Sequence, residues 1–219
     1  MSHRIVLIHA VPMAIEPVAD AFCRIWPEAD IVNLLDDSLA RDLTASVHLD
    51  RAMMDRFQVL SDYALSIGAE GILFTCSAFG SAIEAVARVA PVPVLKPNEA
   101  MFEAALAVGK QIGMLVTFEG SVATMRAEFE DLSAARGLTT ILRPCLVEEA
   151  MSALRQGDTP THNRLLAEAG AALSGCDAVM LAQFSTSQAK KAVGEILNCP
   201  ILTAPDTAVD KIKAAVLGL

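Results

Sequence analysis

An α/β protein of two similar halves, each built on a parallel sheet, is the fold that this 219-residue sequence predicts. Two observations carry the prediction. Short, fully apolar runs of strand type alternate with segments of helical periodicity, which is how a parallel sheet covered by helices on both faces reads in sequence. The chain also repeats itself at an offset of 107 residues: Pro93 maps to Pro200, Leu95 to Leu202, Glu99 to Asp206, and the run 5–8 to 112–115.

Strands are expected near 4–10, 30–34, 71–75, 92–95, 111–116, 138–142, 177–181 and 200–203. Each is a short run rich in Ile, Val and Leu, bounded by Gly, Pro, Asp or Asn. Helices fill the gaps. The first covers 16–26, with Pro17 in its opening turn, where a missing N–H costs nothing. A long one is expected over 45–67, ended by Gly68. A third covers 121–135 and stops at Gly137. Two more, 147–155 and 160–173, are separated by the turn Gln156-Gly-Asp158. The repeat divides the chain into 1–96 and 97–205, with a C-terminal helix at 206–219 completing the first half.

Composition narrows the function. Hydrophobic residues make up 53% of the chain and mean hydropathy is +0.45, yet no run approaches the eighteen or so residues of a membrane span. Ser2-His-Arg4 leads straight into a strand without the features of a signal peptide, so the expected location is the cytoplasm. A net charge of −9 with no Lys/Arg cluster argues against nucleic acid or an anionic membrane as partner. The five cysteines, Cys23, Cys76, Cys145, Cys176 and Cys199, form no CxxC or Cys/His spacing, so neither a metal site nor a disulfide framework is expected. All but Cys76 read as small buried hydrophobes.

Parallel sheets bind ligands at the carboxyl ends of their strands, where helix N-termini offer free amides. Six strand exits therefore matter: His9-Ala-Val-Pro12, Asp36-Asp-Ser38, Thr75-Cys-Ser77, Lys96-Pro-Asn-Glu99, Thr117-Phe-Glu-Gly-Ser121 and Gln183-Phe-Ser185. Cys76 lies between a buried run and a helix start, where amides and the helix dipole are expected to favour a reactive thiolate. The repeat does not duplicate it, because its counterpart 107 residues on is Gln183. Thr117 and Ser121 offer hydroxyls and amides to a carboxylate, and Lys96 reads as an unpaired cation that could hold one.

Thr-Cys-Ser-Ala at a strand exit, Pro-Val-Pro-Val followed by Glu-Ala, Thr-x-x-Gly-Ser after the mid-chain strand, and a matching strand ending at 183 resemble the aspartate/glutamate/hydantoin racemase superfamily. That superfamily includes maleate isomerase and arylmalonate decarboxylase. The resemblance implies two pseudo-symmetric, flavodoxin-like α/β domains with the active site in the cleft between them. It further implies cofactor-independent chemistry on the carbon beside a small carboxylate, and a homodimer. Cys76 matches the first family cysteine and Gln183 stands in place of the second. Ser77 stands where the family often has Asn, and Thr117 with Ser121 match its second carboxylate-binding turn. Ala78, Lys96, Asn98, His9 and Ser185, at the same strand exits, complete the set of candidate substrate-binding residues. The Asn-Pro-Asn-Thr of hydantoin racemases is replaced by His9-Ala-Val-Pro12, which disfavours a hydantoin substrate.

Two-base racemisation needs a proton carrier on each face of the carbon, and the amide of Gln183 cannot serve; it can donate a hydrogen bond to a developing enediolate. Candidates for a second carrier are His9, Asp36, Asp37, Glu99, Glu119 and His162. Three functions stay open on the sequence: a racemase or epimerase using Cys76 and a second acid, a one-thiol decarboxylase or isomerase, and a carboxylate-binding protein without chemistry.

Overall fold

The computed structural model describes residues 2–46 and 49–219. The chain divides into two compact units, Met1–Pro97 with Ala208–Leu219, and Asn98–Thr207.

The first unit contains β1 (Arg4–His9), α1 (Ile15–Ile25), β2 (Asp30–Leu35), α2 (Leu39–Ser46), α3 (Arg51–Ser66), β3 (Gly71–Phe74), α4 (Gly80–Ala87) and β4 (Val94–Leu95). Its four strands pair in parallel in the order β2-β1-β3-β4. β1 is buried at every position after Arg4 and β3 at every position, as strands covered on both faces must be. Phe57 of α3 packs in tilted contact with Phe74 and Phe79, with ring centroids 5.3 and 4.8 Å away. These rings anchor a core that also takes in Val6, Ile8, Ile72 and Ile83.

The second unit contains α5 (Glu99–Val108), β5 (Gln111–Val116), α6 (Glu119–Ala135), β6 (Ile141–Leu146), α7 (Glu148–Arg155), α8 (Thr159–Gly170), β7 (Ala178–Leu181), α9 (Lys190–Ile196) and β8 (Ile201–Thr203). Its parallel order, β6-β5-β7-β8, repeats that of the first unit. The pairs Arg4 and Gln111, Gly71 and Ala178, and Val94 and Ile201, which open corresponding strands, each stand 107 residues apart. Leu115, Leu166, Val179, Leu181 and Val193 form its core. The last helix, α10 (Ala204–Leu217), starts in the second unit, but its later turns belong to the first. There Ile212 and Val216 lie so close to Gly71 that a Cβ at that glycine would sit 3.0–3.1 Å from their methyl groups.

Three expected elements are corrected. The helix expected over 45–67 is divided: residues 45 and 46 end α2, and α3 runs over Arg51–Ser66, because the Asp50 carboxylate accepts a 2.8 Å bond from the Met53 amide and caps a new start. Of that expected helix, residues 47 and 48 lie outside the described residues. The strand expected at 138–142 is shifted to Ile141–Leu146. It is an edge strand, so it tolerates Pro144. The helix expected at 160–173 is α-helical only over Thr159–Gly170 and closes in a 3₁₀ turn, Ala171–Leu173. Among the described residues no helix is long and apolar enough to cross a membrane.

Candidate functional site

In the first unit the exits of β1 and β3 are tied to each other and to the interior of β2 by side chains. His9, the last residue of β1, has no solvent exposure. Its Nδ1 lies 2.9 Å from Thr75 Oγ1 and its Nε2 lies 2.9 Å from Asn33 Oδ1. The Asn33 oxygen can only accept, so Nε2 carries the hydrogen, and in the neutral ring Nδ1 accepts from the Thr75 hydroxyl. Burial pushes the His9 imidazole below its ordinary pKa, against the opposing hydrogen bond to Asn33. A neutral His9 with both nitrogens engaged therefore holds Thr75, whose backbone N–H also bonds the Ile8 carbonyl at 3.1 Å. Asn33 carried no signal at the sequence level beyond being a polar residue inside the apolar run of β2.

Cys76 follows Thr75. It occupies the cap position of a short 3₁₀ turn, Ser77–Phe79, that leads into α4, and it is partly buried. Phe79 is fully buried against Phe57 and pins that turn. The expected thiolate is corrected here: burial pushes the Cys76 thiol above its ordinary range, and the hydrogen bond from the Ala78 backbone offsets this only in part. At neutral pH the unliganded protein holds Cys76 as S–H. Ser77 beside it is partly buried and Ala78 is exposed.

Lys96, just past β4, is not the unpaired cation expected, since its Nζ lies 2.7 Å from Glu84 Oε1 of α4. Asn98 sits at the cap position of α5, its carbonyl accepting from Phe102 N–H at 3.0 Å but its side chain making no cap bond; it is 2% exposed, and its Nδ2 has no hydrogen-bond partner.

In the second unit the exits of β5 and β7 meet directly. Gln183 Oε1 accepts two bonds from Thr117, from the backbone N–H and from the hydroxyl, each 2.9 Å. A backbone N–H is always a donor, so the atom facing it is the amide oxygen and the Gln183 NH₂ is turned away. The Gln183 backbone is held in turn by Thr186, whose hydroxyl accepts from Gln183 N–H at 3.2 Å and donates to its carbonyl at 2.7 Å. Thr117 thus spends its hydroxyl on Gln183, whereas the sequence had offered it to a carboxylate. Ser121, in the first turn of α6, is partly buried and its backbone N–H bonds the Phe118 carbonyl at 3.1 Å; Ser185 is buried.

Most of the other proton-carrier candidates are engaged or remote from solvent. Burial raises the Asp36 carboxyl, but hydrogen bonds from Ser38 and Arg56 outweigh it and hold the group below the ordinary range. Asp37 is ion-paired with Arg41 at 3.7 Å. Glu99 and Glu119 open α5 and α6. His162 is fully buried in α8, donating from Nδ1 to the Ala150 carbonyl at 2.8 Å, with Nε2 unpartnered. No group of three or more His, Cys, Asp or Glu side chains placed to hold a metal ion occurs among the described residues.

The Asp/Glu/Hydantoin racemase family profile matches residues 27–212. No curated protein matches the chain. Solved structures of similar fold include a glutamate racemase from Thermus thermophilus in complex with beta-chloro-D-alanine, 18% identical at a TM-score of 0.69, with 99% of this chain and 81% of that one covered. An aspartate racemase from Picrophilus torridus is 14% identical at a TM-score of 0.71, covering 98% and 94%. An allantoin racemase from Klebsiella pneumoniae is 16% identical at 0.65, covering 100% and 89%. At these identities the likeness to the three structures is one of fold.

Proposed function

Since the chain belongs to the Asp/Glu/Hydantoin racemase family, we propose that it is a cofactor-independent enzyme of the racemase/isomerase kind, moving a proton at the α-carbon of a small carboxylate through Cys76. The observation that carries this reading is the placement of Cys76: a partly buried thiol at the exit of β3, on a backbone held by Thr75, His9 and Phe79.

In the reaction, the α-C–H bond breaks as its proton passes to a Cys76 thiolate, and the electron pair is delocalised into the carboxylate as an enediolate. Cys76 S–H then returns a proton to the same face of the carbon, which exchanges the hydrogen with retention; inversion takes its proton from a second carrier on the opposite face. Gln183, with its oxygen held by Thr117, donates from its NH₂ to the enediolate, where charge develops. Ser77, Ala78, Asn98, Ser121 and Ser185 supply hydroxyls and amides around the carboxylate, with the unpartnered Nδ2 of Asn98 a donor in need of an acceptor. His9 and Thr117 act through Thr75 and Gln183. Lys96 contributes its charge from within its pair with Glu84. The assembly is a homodimer, which sedimentation velocity measures.

One observation favours a second reading. A thiol held protonated by burial suits a decarboxylase, in which loss of CO₂ from a malonate-type substrate creates the enediolate and Cys76 S–H only has to protonate it. The pH profile separates the two. Where Cys76 must first become a thiolate, the rate climbs with pH through and beyond the ordinary thiol range, because the thiol is raised. Where Cys76 acts only as an acid, the rate is flat at neutral pH and falls above that raised value. The test is incubation in D₂O with α-amino acids, arylacetates and arylmalonates. NMR reads α-deuteration of the first two and deuterated product from the third, at several pH values; the absence of all deuteration would contradict both readings.

A further inference from the structure

The proposed function leaves open what the α-carbon of the substrate carries. Phe118 bears on this. It lies one residue past Thr117, at the cap position of α6, and is 54% exposed at the carboxyl end of the second sheet. Single exposed apolar residues are ordinary on protein surfaces, but two features set this one apart. Its ring lies over Gly120, where an added Cβ would come within 2.7 and 2.8 Å of the ring carbons Cε1 and Cζ. Only glycine at 120 lets the phenyl group lie there, on a backbone whose preceding residue holds Gln183 by two hydrogen bonds.

The second feature is charge. The three residues that follow each of β5, β6 and β7 include three acids, Glu119, Glu148 and Glu149, and no base, while Asp206, after β8, is ion-paired with Lys190 of α9 at 2.8 Å. In the first unit, the corresponding residues include Asp36, Asp37 and Lys96, the last of these 2.7 Å from Glu84. A carboxylate at the end of the α-substituent, as in a dicarboxylic amino acid, would meet like charge at Glu119, Glu148 and Glu149, at a cost of the same order as the gain from a matched pair. An apolar substituent would meet a phenyl ring.

We propose that Phe118 is the specificity-determining residue of this site and receives an uncharged apolar substituent, aryl by preference, on the substrate's α-carbon. The enzyme then acts on carboxylates that bear an aryl group on the α-carbon rather than on dicarboxylic amino acids. This rests on reading the Thr117–Gln183 exit as the substrate-binding end.

The experiment is calorimetric titration of the wild-type protein and of two variants with phenylacetate and with succinate. Phenylacetate is expected to bind wild type at least tenfold more tightly than succinate. Phe118→Ala should weaken phenylacetate about tenfold, the worth of an aromatic contact together with its buried area. Gly120→Ala, which suits a helix better than glycine, should weaken it in the same direction by displacing the ring. Equal or tighter binding of succinate, no binding of phenylacetate, or unchanged phenylacetate affinity in both variants overturns the inference. The D₂O assay separates its fate from that of the proposed function. Deuteration fastest on aspartate or glutamate leaves the function standing and removes the aryl preference. The calorimetric pattern without deuteration of any substrate leaves the aryl site standing and removes the chemistry.

Discussion

Removing the Thr117 hydroxyl tests whether Gln183 is a positioned donor. Thr117→Val keeps the shape of a side chain only 2% exposed and keeps the backbone N–H, but deletes one of the two 2.9 Å bonds to Gln183 Oε1. The lost bond is worth roughly 0.5–1.5 kcal/mol net. Because the remaining N–H still selects the amide oxygen, the NH₂ keeps its direction and loses only restraint. If that loss is felt wholly in the transition state, about 1.4 kcal/mol corresponds to a tenfold fall in kcat. Gln183→Met removes the donor itself and is expected to cost about 10²–10³ in kcat, as deletion of an oxyanion donor does. The predicted order of kcat is wild type, Thr117→Ser, Thr117→Val, Gln183→Met, with KM little changed in the threonine variants. Stopped-time NMR of α-deuteration provides the rates. A Thr117→Val enzyme as impaired as Gln183→Met, or a Gln183→Met enzyme of wild-type activity, would refute the reasoning.

Two further predictions concern the scaffold. His9 is buried neutral with a lowered pKa, so the unfolded chain binds the extra proton more readily than the folded one. Its contribution to stability is therefore complete above the unfolded value near 6.5 and is lost as pH falls from there towards the folded value; urea titrations across this window should show a slope that disappears in His9→Gln. Asp50→Ala removes the cap of α3 and is expected to lower stability by about 1 kcal/mol, read from the urea midpoint; an unchanged midpoint would show that the cap contributes nothing.

The class of fold was legible because parallel, doubly covered strands must be apolar runs. β1, β3 and β4 could be matched to β5, β7 and β8 by one shift, since a buried strand tolerates little change in length. β6 escaped the pattern because it is an edge strand, where partial exposure mixes Arg143 and Pro144 into the run. α3 was drawn too long because apolar periodicity continues past its start, and a single capping aspartate decides where the helix begins. At the candidate site, residue types and strand exits could be read in order along the chain. Pairings could not: Lys96 with Glu84, Thr117 with Gln183 and His9 with Asn33 join residues 12, 66 and 24 positions apart. The sign of the Cys76 shift was misjudged for a related reason. Helix-end amides are visible in sequence, whereas the burial that outweighs them comes from the packing of Cys76 against the core of the first unit.

The central claim is that Cys76 carries the proton. Its most direct test is solvent-deuterium incorporation at the α-carbon, or into the decarboxylated product, by wild-type and Cys76→Ser proteins matched for fold by circular dichroism and melting temperature. The account predicts incorporation by wild type and a loss of at least a hundredfold in Cys76→Ser, because a hydroxyl neither ionises nor returns a proton as a thiol does. Incorporation by Cys76→Ser at the wild-type rate would contradict it.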